Sequence, residues 1–294
     1  MRMSVVVCLS RTQTVTQVTI DRQCLASEAD VTMLRDRLRV PQSMENQVVT
    51  ACVLIIGNEI LSGRTQDTNL RHIAIHLNEW GIRVREARVV PDIETTIIDT
   101  VRIVRTQFDY VFTTGGIGPT HDDITADCIA KAFDRPLVIH PEIARLIQSR
   151  PVPPDVMAAR MLMARVPEGA DLIGNPSGGP PGFFIENVYV MAGIPSVMQG
   201  MLSSLEGKLR GGAPVRSRSV TVYLGESQIA APLGQIQARH PTIDLGSYPF
   251  SRDSRYGTTL VMRGTSADGL DMMLEEVIAM ILAAGAEPQD ITRA

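Results

Sequence analysis

The chain has 294 residues, is 44% hydrophobic and 20% charged, and carries a formal net charge of −4. That is the make-up of an ordinary globular protein with room for two modest domains, and its acidic balance argues against a nucleic-acid footprint or a polybasic membrane surface. No stretch is apolar for long enough to span a bilayer, and Cys8, Cys24, Cys52 and Cys128 form no CxxC pair, so a zinc ribbon or dithiol site is excluded and a reduced, cytoplasmic setting is expected.

Residues 1–47 are polar, with a weak helical pattern around Ala29–Leu38 and Pro41 before the first strong strand. They are read as a disordered or non-native extension, with Met44 nearer the functional start. Val48–Ile56 is a near-continuous apolar run, as in a parallel strand buried on both faces. Thr68 or Asn69 then caps a helix whose Leu70, Ile73, Leu77 and Trp80 share one face, and Gly81 stops it. Strand Ile82–Val90, helix Glu94–Phe108, strand Asp109–Thr114 and helix Ile124–Phe133 follow. Alternation of this kind predicts a parallel three-layer αβα sheet with right-handed crossovers, in which ligands sit beyond the carboxyl ends of the strands. Glu59 and the loop after Thr114 are therefore expected on one rim.

Further along, helices are predicted at Pro141–Ser149 and Asp155–Arg165. Two strands flank the loop 174–182, the second running Phe183–Met191. Gly193-Ile-Pro-Ser196 opens another helix, with Ser196 as its cap. Residues 210–215 read as a linker, closing a first domain over 48–209. Residues 216–287 follow a βαββα order, expected to form a small α+β domain with helices on one face of a mixed sheet.

The segment Thr114-Gly-Gly-Ile-Gly-Pro-Thr-His-Asp-Asp-Ile-Thr125 carries the densest chemistry. Gly115, Gly116 and Gly118 let backbone approach a ligand, and amides at the following helix start favour phosphate. The adjacent carboxylates Asp122 and Asp123 would repel phosphate unless a divalent cation (Mg²⁺, Mn²⁺ or Co²⁺) lay between them. One of the pair, with Thr120, suffices as a helix cap, which leaves the other as a metal ligand; Asp123 is preferred. Glu59 is a metal ligand, a general base or a cap partner, while Asn58 donates to phosphate or shapes its turn. Gly193 and Ser196 form a second anion-binding helix start. The loop is neither a Walker A motif nor GxGxxG, and no GxSxG elbow surrounds Ser196.

Leu54-Ile-Ile-Gly-Asn-Glu-Ile-Leu-Ser-Gly63, the glycine loop and Met191-Ala-Gly-Ile-Pro-Ser196 together resemble the molybdopterin-binding domain of MoaB/Mog type, and more closely the CinA-like (competence/damage-inducible protein A) family. The resemblance implies a molybdopterin or nucleotide ligand, a KH-like second domain, a homo-oligomer by analogy, and in some relatives metal-dependent hydrolysis of ADP-ribose. Asp123 matches the motif aspartate. Ile117 and Asp122 depart from the cofactor-biosynthesis branch, where Thr and Arg are usual, which weakens the case for a simple pterin carrier. The chain ends too soon for the C-terminal deamidase domain of full-length members, so that activity is not expected of it.

Overall fold

The computed structural model describes residues 48–252 and 254–293, and in addition the strand pair Val5–Val6 and Gln17–Val18. The chain divides into two units, Met1–Gln47 and Val48–Ala294. In the first, Val5 pairs with Val18 and Val6 with Gln17, antiparallel. The rest of the expected extension, including its weak helical pattern, lies outside the described residues.

The second unit begins with β1 (Val49–Ile56), a one-turn helix α1 (Asn58–Leu61), α2 (Asn69–Glu79), β2 (Ile82–Val90), α3 (Glu94–Gln107), β3 (Tyr110–Thr114) and α4 (Thr125–Ala132). Successive side chains of a strand point to opposite faces, and β1 uses both. Ala51, Val53 and Ile55 pack with Ile73 and Leu77 of α2, whereas Cys52, Leu54 and Ile56 pack with Ile97 and Val101 of α3 and Ile129 of α4. Helix α3 is rich in Thr, Ile and Val, which favour strands. Its Ile97, Val101 and Val104 nonetheless recur at helical spacing and are fully buried, so tertiary burial overrides propensity.

There follow β4 (Leu137–Ile139), α5 (Pro141–Gln148), α6 (Pro154–Met161), β5 (Arg165–Pro167), β6 (Asp171–Ile173), β7 (Gly182–Ile185), β8 (Val188–Met191) and α7 (Pro195–Ser203). The main sheet has the order β2-β1-β3-β8-β7-β6. Its first four strands are parallel, and β7 and β6 each run antiparallel to the preceding neighbour. This is the expected αβα architecture with a mostly parallel sheet.

Two expectations are corrected here. The run Phe183–Met191 is not one strand but the hairpin β7–β8. Glu186 turns it with a left-handed φ of 51°, and the Asn187 amide pins it by donating to the carbonyls of Arg105 and Phe108, each at 2.9 Å. The helix expected to reach Arg165 ends at Met161, and Arg165 pairs with Ile139 in the separate β4–β5 ladder. Pro167 disfavours helix at Val166.

The smaller domain contains β9 (Arg216–Val222), α8 (Glu226–Arg239), β10 (Asp244–Arg252), β11 (Arg255–Gly264), α9 (Ala267–Ala283) and β12 (Gln289–Arg293). Its sheet, ordered β10-β11-β9-β12, is antiparallel throughout rather than mixed. The β9–α8–β10 crossover does join two strands of one direction, but β11 inserts between them. Val220, Val222, Ile229, Leu233, Leu274 and Val277 form a single apolar core between sheet and helices.

Burial raises the thiol of Cys52 to about 11 and that of Cys128 to about 12, so both stay protonated and unreactive near neutral pH. In a protein carrying Cys8→Ser and Cys24→Ser, neither thiol should react with a thiol-specific reagent at pH 8 until denaturant opens the sheet. Rapid labelling of the folded protein would contradict these positions.

Candidate ligand-binding cleft

Strands β1, β2, β3, β8 and β6 share one direction, so the loops after Ile56, Val90, Thr114, Met191 and Ile173 leave along a single edge. The order of connection reverses between β1 and β3, where open α/β sheets place their ligands. A cleft of about 470 Å³ opens there.

The glycine loop is held against β1 by close approach. Gly115 has φ 104° and donates its amide to Met191, and a β-carbon on it would lie 2.1 Å from the Ile56 carbonyl oxygen. Gly116 has φ 67°, and a side chain there would strike the Thr125 hydroxyl. That buried hydroxyl donates to the Gly115 carbonyl at 3.0 Å, and the Thr125 amide donates to Gly116 at 3.0 Å. These bonds turn the chain from strand into α4.

Neither adjacent aspartate caps α4; Ile124 occupies the cap position without a side-chain bond. Asp123 instead closes its own loop, with Oδ2 accepting from the Thr120 amide at 2.8 Å and from the Thr120 hydroxyl at 2.5 Å. Hydrogen bonding by the Thr120 side chain, shared between the two aspartates, and then by Asp122's own amide holds the exposed Asp122 carboxyl below its ordinary value. Of the helix-start amides expected to receive phosphate, those of Ile124 and Thr125 are engaged within the loop, Ile124 to Asp122 and Thr125 to Gly116. The amides of Gly116, Ile117 and Gly118, by contrast, have no acceptor among the described residues.

Across the cleft, the Glu59 carboxylate folds back over Gly57, where a β-carbon would lie 2.5 Å from Oε1. Asp92 accepts the Asn58 amide at 2.8 Å, tying the loop after β1 to the loop after β2. Glu59, Asp92, Asp122 and Asp123 all line the cleft, as do Gly115, Gly116, Gly118, Thr120 and Gly193. Asn58 and Ser196 do not. Ser196 also fails as the cap of α7, which begins at Pro195 with Ile194 in the cap position. Pro195 ahead of it already sets the helical φ of the first turn.

Sequence reasoning missed Asp92, Arg165 and the loop 174–182, all of which contribute walls. The β4–β5 ladder carries Arg165 to the cleft, where its Nε donates to the Leu162 carbonyl at 3.4 Å and it has no ion-pair partner among the described residues. Asn175 folds the loop by accepting from the amide and hydroxyl of Ser177 and donating to Pro180. The loop's length and its Gly/Pro density were visible beforehand. That β6 shares the direction of β1 was not.

Among the described residues, no three His, Cys, Asp or Glu side chains converge closely enough to hold a metal ion. A preformed protein cage for a metal therefore does not fit this site. A divalent cation that enters with phosphate oxygens and keeps several waters needs only one or two carboxylates. Glu59, Asp122 and Asp123 fit that lesser demand.

This αβα domain, with its glycine loop at the point where strand order reverses, is of the molybdopterin-binding type. Residues 52–210 match the family model described as "Probable molybdopterin binding domain", and residues 214–290 match "FAD synthase, middle domain". A protein of Archaeoglobus fulgidus is 35% identical over 197 residues, which cover 67% of this chain and 84% of that protein. A CinA-like protein of Desulfosudis oleivorans is 34% identical over 208 residues, covering 66% of this chain and 50% of its own length. The crystal structure of the protein CinA, with unknown function, from Thermoplasma acidophilum aligns at TM-score 0.50 and 32% identity, covering 54% of this chain and 96% of that one. The chain belongs to the CinA-like family and spans about half the length of the CinA-like relative above. No helix among the described residues is long and apolar enough to cross a membrane.

Gly115→Ala meets both an unfavourable φ and a backbone oxygen. It should lower the unfolding free energy by roughly 1–3 kcal/mol in a denaturant titration. An unchanged midpoint would mean that the loop does not pack against β1 as described.

Proposed function

We propose that the cleft binds a nucleotide containing a pyrophosphate and hydrolyses it with the help of a divalent cation, as an ADP-ribose pyrophosphatase does. The observation that carries this reading is the convergence, in one cleft, of glycine-loop amides without an acceptor and an Arg165 without an ion-pair partner among the described residues, together with the carboxylates of Glu59, Asp122 and Asp123. Backbone amides beside left-handed glycines form an anion-binding concavity, and Arg165 supplies a fixed positive charge suited to phosphate oxygens. Leu162, Met163, Phe183, Ile194, Val197 and Met201 give the same cleft an apolar wall against which a flat base or pterin ring packs.

In this reading Asp122, ionised at neutral pH, and Glu59 flank the diphosphate, where either accepts the proton of an attacking water. Asp123 holds Thr120 and the glycine loop in position and keeps its second oxygen for the cation. The cation, when bound, offsets phosphate charge and acidifies a coordinated water. One or two of Glu59, Asp122 and Asp123 would hold it, Asp123 first.

Purified protein incubated with ADP-ribose, FAD and NAD across Mg²⁺, Mn²⁺ and Co²⁺ tests the proposal. Turnover that chelator abolishes, and that falls by about a hundredfold or more in Asp122→Asn or Asp123→Asn, is expected. Arg165→Ala should raise KM or Kd by about tenfold, the loss of a charge-assisted bond. Absence of metal-dependent turnover would defeat the hydrolase reading.

A second reading, a non-catalytic molybdopterin-binding module or an interaction protein with a decayed site, draws on the family of the first domain and on the use of Asp92 and Asp123 as loop braces. It predicts ligand-dependent thermal stabilisation by pterin without hydrolysis, or no stabilisation by any ligand, respectively.

A further inference from the structure

Beside the main cleft lies an annex of about 60 Å³, which shares the walls Ile56, Glu59, Gly115 and Gly193 with it. Asn69, at the first turn of α2, also lines the annex. Its side-chain Nδ2 donates to the Gly193 carbonyl at 2.8 Å. That bond fixes which way the amide faces, because the reverse orientation would set two oxygens against each other. The residue is only 5% exposed, yet its Oδ1 has no hydrogen-bond partner among the described residues. A buried acceptor without a donor is costly, on the order of 1–3 kcal/mol, and is uncommon in native proteins. The helix does not require it: Asp67, not Asn69, accepts the Leu70 amide at 2.9 Å.

We propose that Asn69 is a specificity-determining residue whose Oδ1 accepts a hydroxyl of the pentose attached to the ligand's diphosphate. The proposal rests on the nucleotide reading of the main cleft and adds the sugar to it. With phosphates against Gly116–Gly118, a pentose joined to them lies next to Gly115 and Gly193, the walls common to both spaces. The annex has room for a small polar group but not for a ring system, so a hydroxyl enters while the ring stays in the cleft. Asn69 offers its unpartnered Oδ1 as an acceptor, while Gly193 engages one of the two N–H groups of Nδ2. Oδ1 itself pairs with a donor group such as a sugar hydroxyl and not with a carbonyl or a phosphate oxygen.

The test is a binding cycle by calorimetry with ADP, 2′,3′-dideoxy-ADP and inorganic pyrophosphate, on the full chain and on Asn69→Ala. The full chain should bind ADP about tenfold more tightly than the dideoxy analogue. Asn69→Ala should bind the two equally, with pyrophosphate affinity unchanged within about twofold. Equal loss of ADP and pyrophosphate in Asn69→Ala would reduce Asn69 to a support for Gly193, and the proposal would fall. So would an undiminished preference for ADP in the variant. Pyrophosphate and dideoxy-ADP bound as tightly as ADP by the full chain would overturn the sugar contact while leaving the diphosphate site standing, and this arm needs no folded variant. Failure of the full chain to bind any of the three would remove the nucleotide reading and this inference together.

Discussion

Everything at this site depends on how closely the carboxyl end of β1 approaches the turn after β3. The α-carbon of Gly115 sits so near the Ile56 carbonyl that no side chain fits between them, and the Gly193 α-carbon approaches Gly115 from the other side, where a β-carbon would lie 3.3 Å away. Three strand ends, β1, β3 and β8, are thereby drawn into one rim. The loops they emit then have no choice but to face a common space. The glycines serve first as packing devices, and the anion-binding amides follow from the backbone shape that this packing imposes.

The electrostatics of that space follow from which groups are already satisfied. Asp92 is engaged with the Asn58 amide and Asp123 with Thr120, so two of the four carboxylates are partly neutralised by hydrogen bonds. Glu59 and Asp122 accept no such bond from another residue's backbone amide among the described residues. Arg165 stands in the same cleft without an ion pair among the described residues. An isolated anion would meet repulsion here, but an anion carrying its own cation, or one that reaches Arg165 and the loop amides, would not. The same cleft can therefore discriminate by charge state as well as by shape.

Much of this was legible in the residues. The apolar run of β1, buried on both faces, and the strand-helix alternation up to Phe133 lead directly to the αβα layers and to the rim shared by Glu59 and Gly115. Side-chain partners were not legible, since nothing in the spacing says that Asp123 would fold back onto Thr120 while Ile124 takes the cap position. Nor could spacing reveal Arg165, whose place depends on a three-residue ladder formed with Leu137–Ile139. The hairpin at Glu186 escaped notice because its turn uses a left-handed glutamate and an asparagine bonded to a distant helix end, not the glycines that usually mark such a turn. Local pattern carried the layers; long-range pairing decided the site.

The proposed chemistry stands on a diphosphate seated against the glycine loop. Backbone amide resonances of Gly116, Ile117 and Gly118, followed while ADP is titrated in the presence of Mg²⁺, address it most directly. Saturable shifts at these three amides, with little change at Ile124 and Thr125, are the predicted result. Binding that moves resonances elsewhere and leaves the three glycine-loop amides unchanged would contradict it.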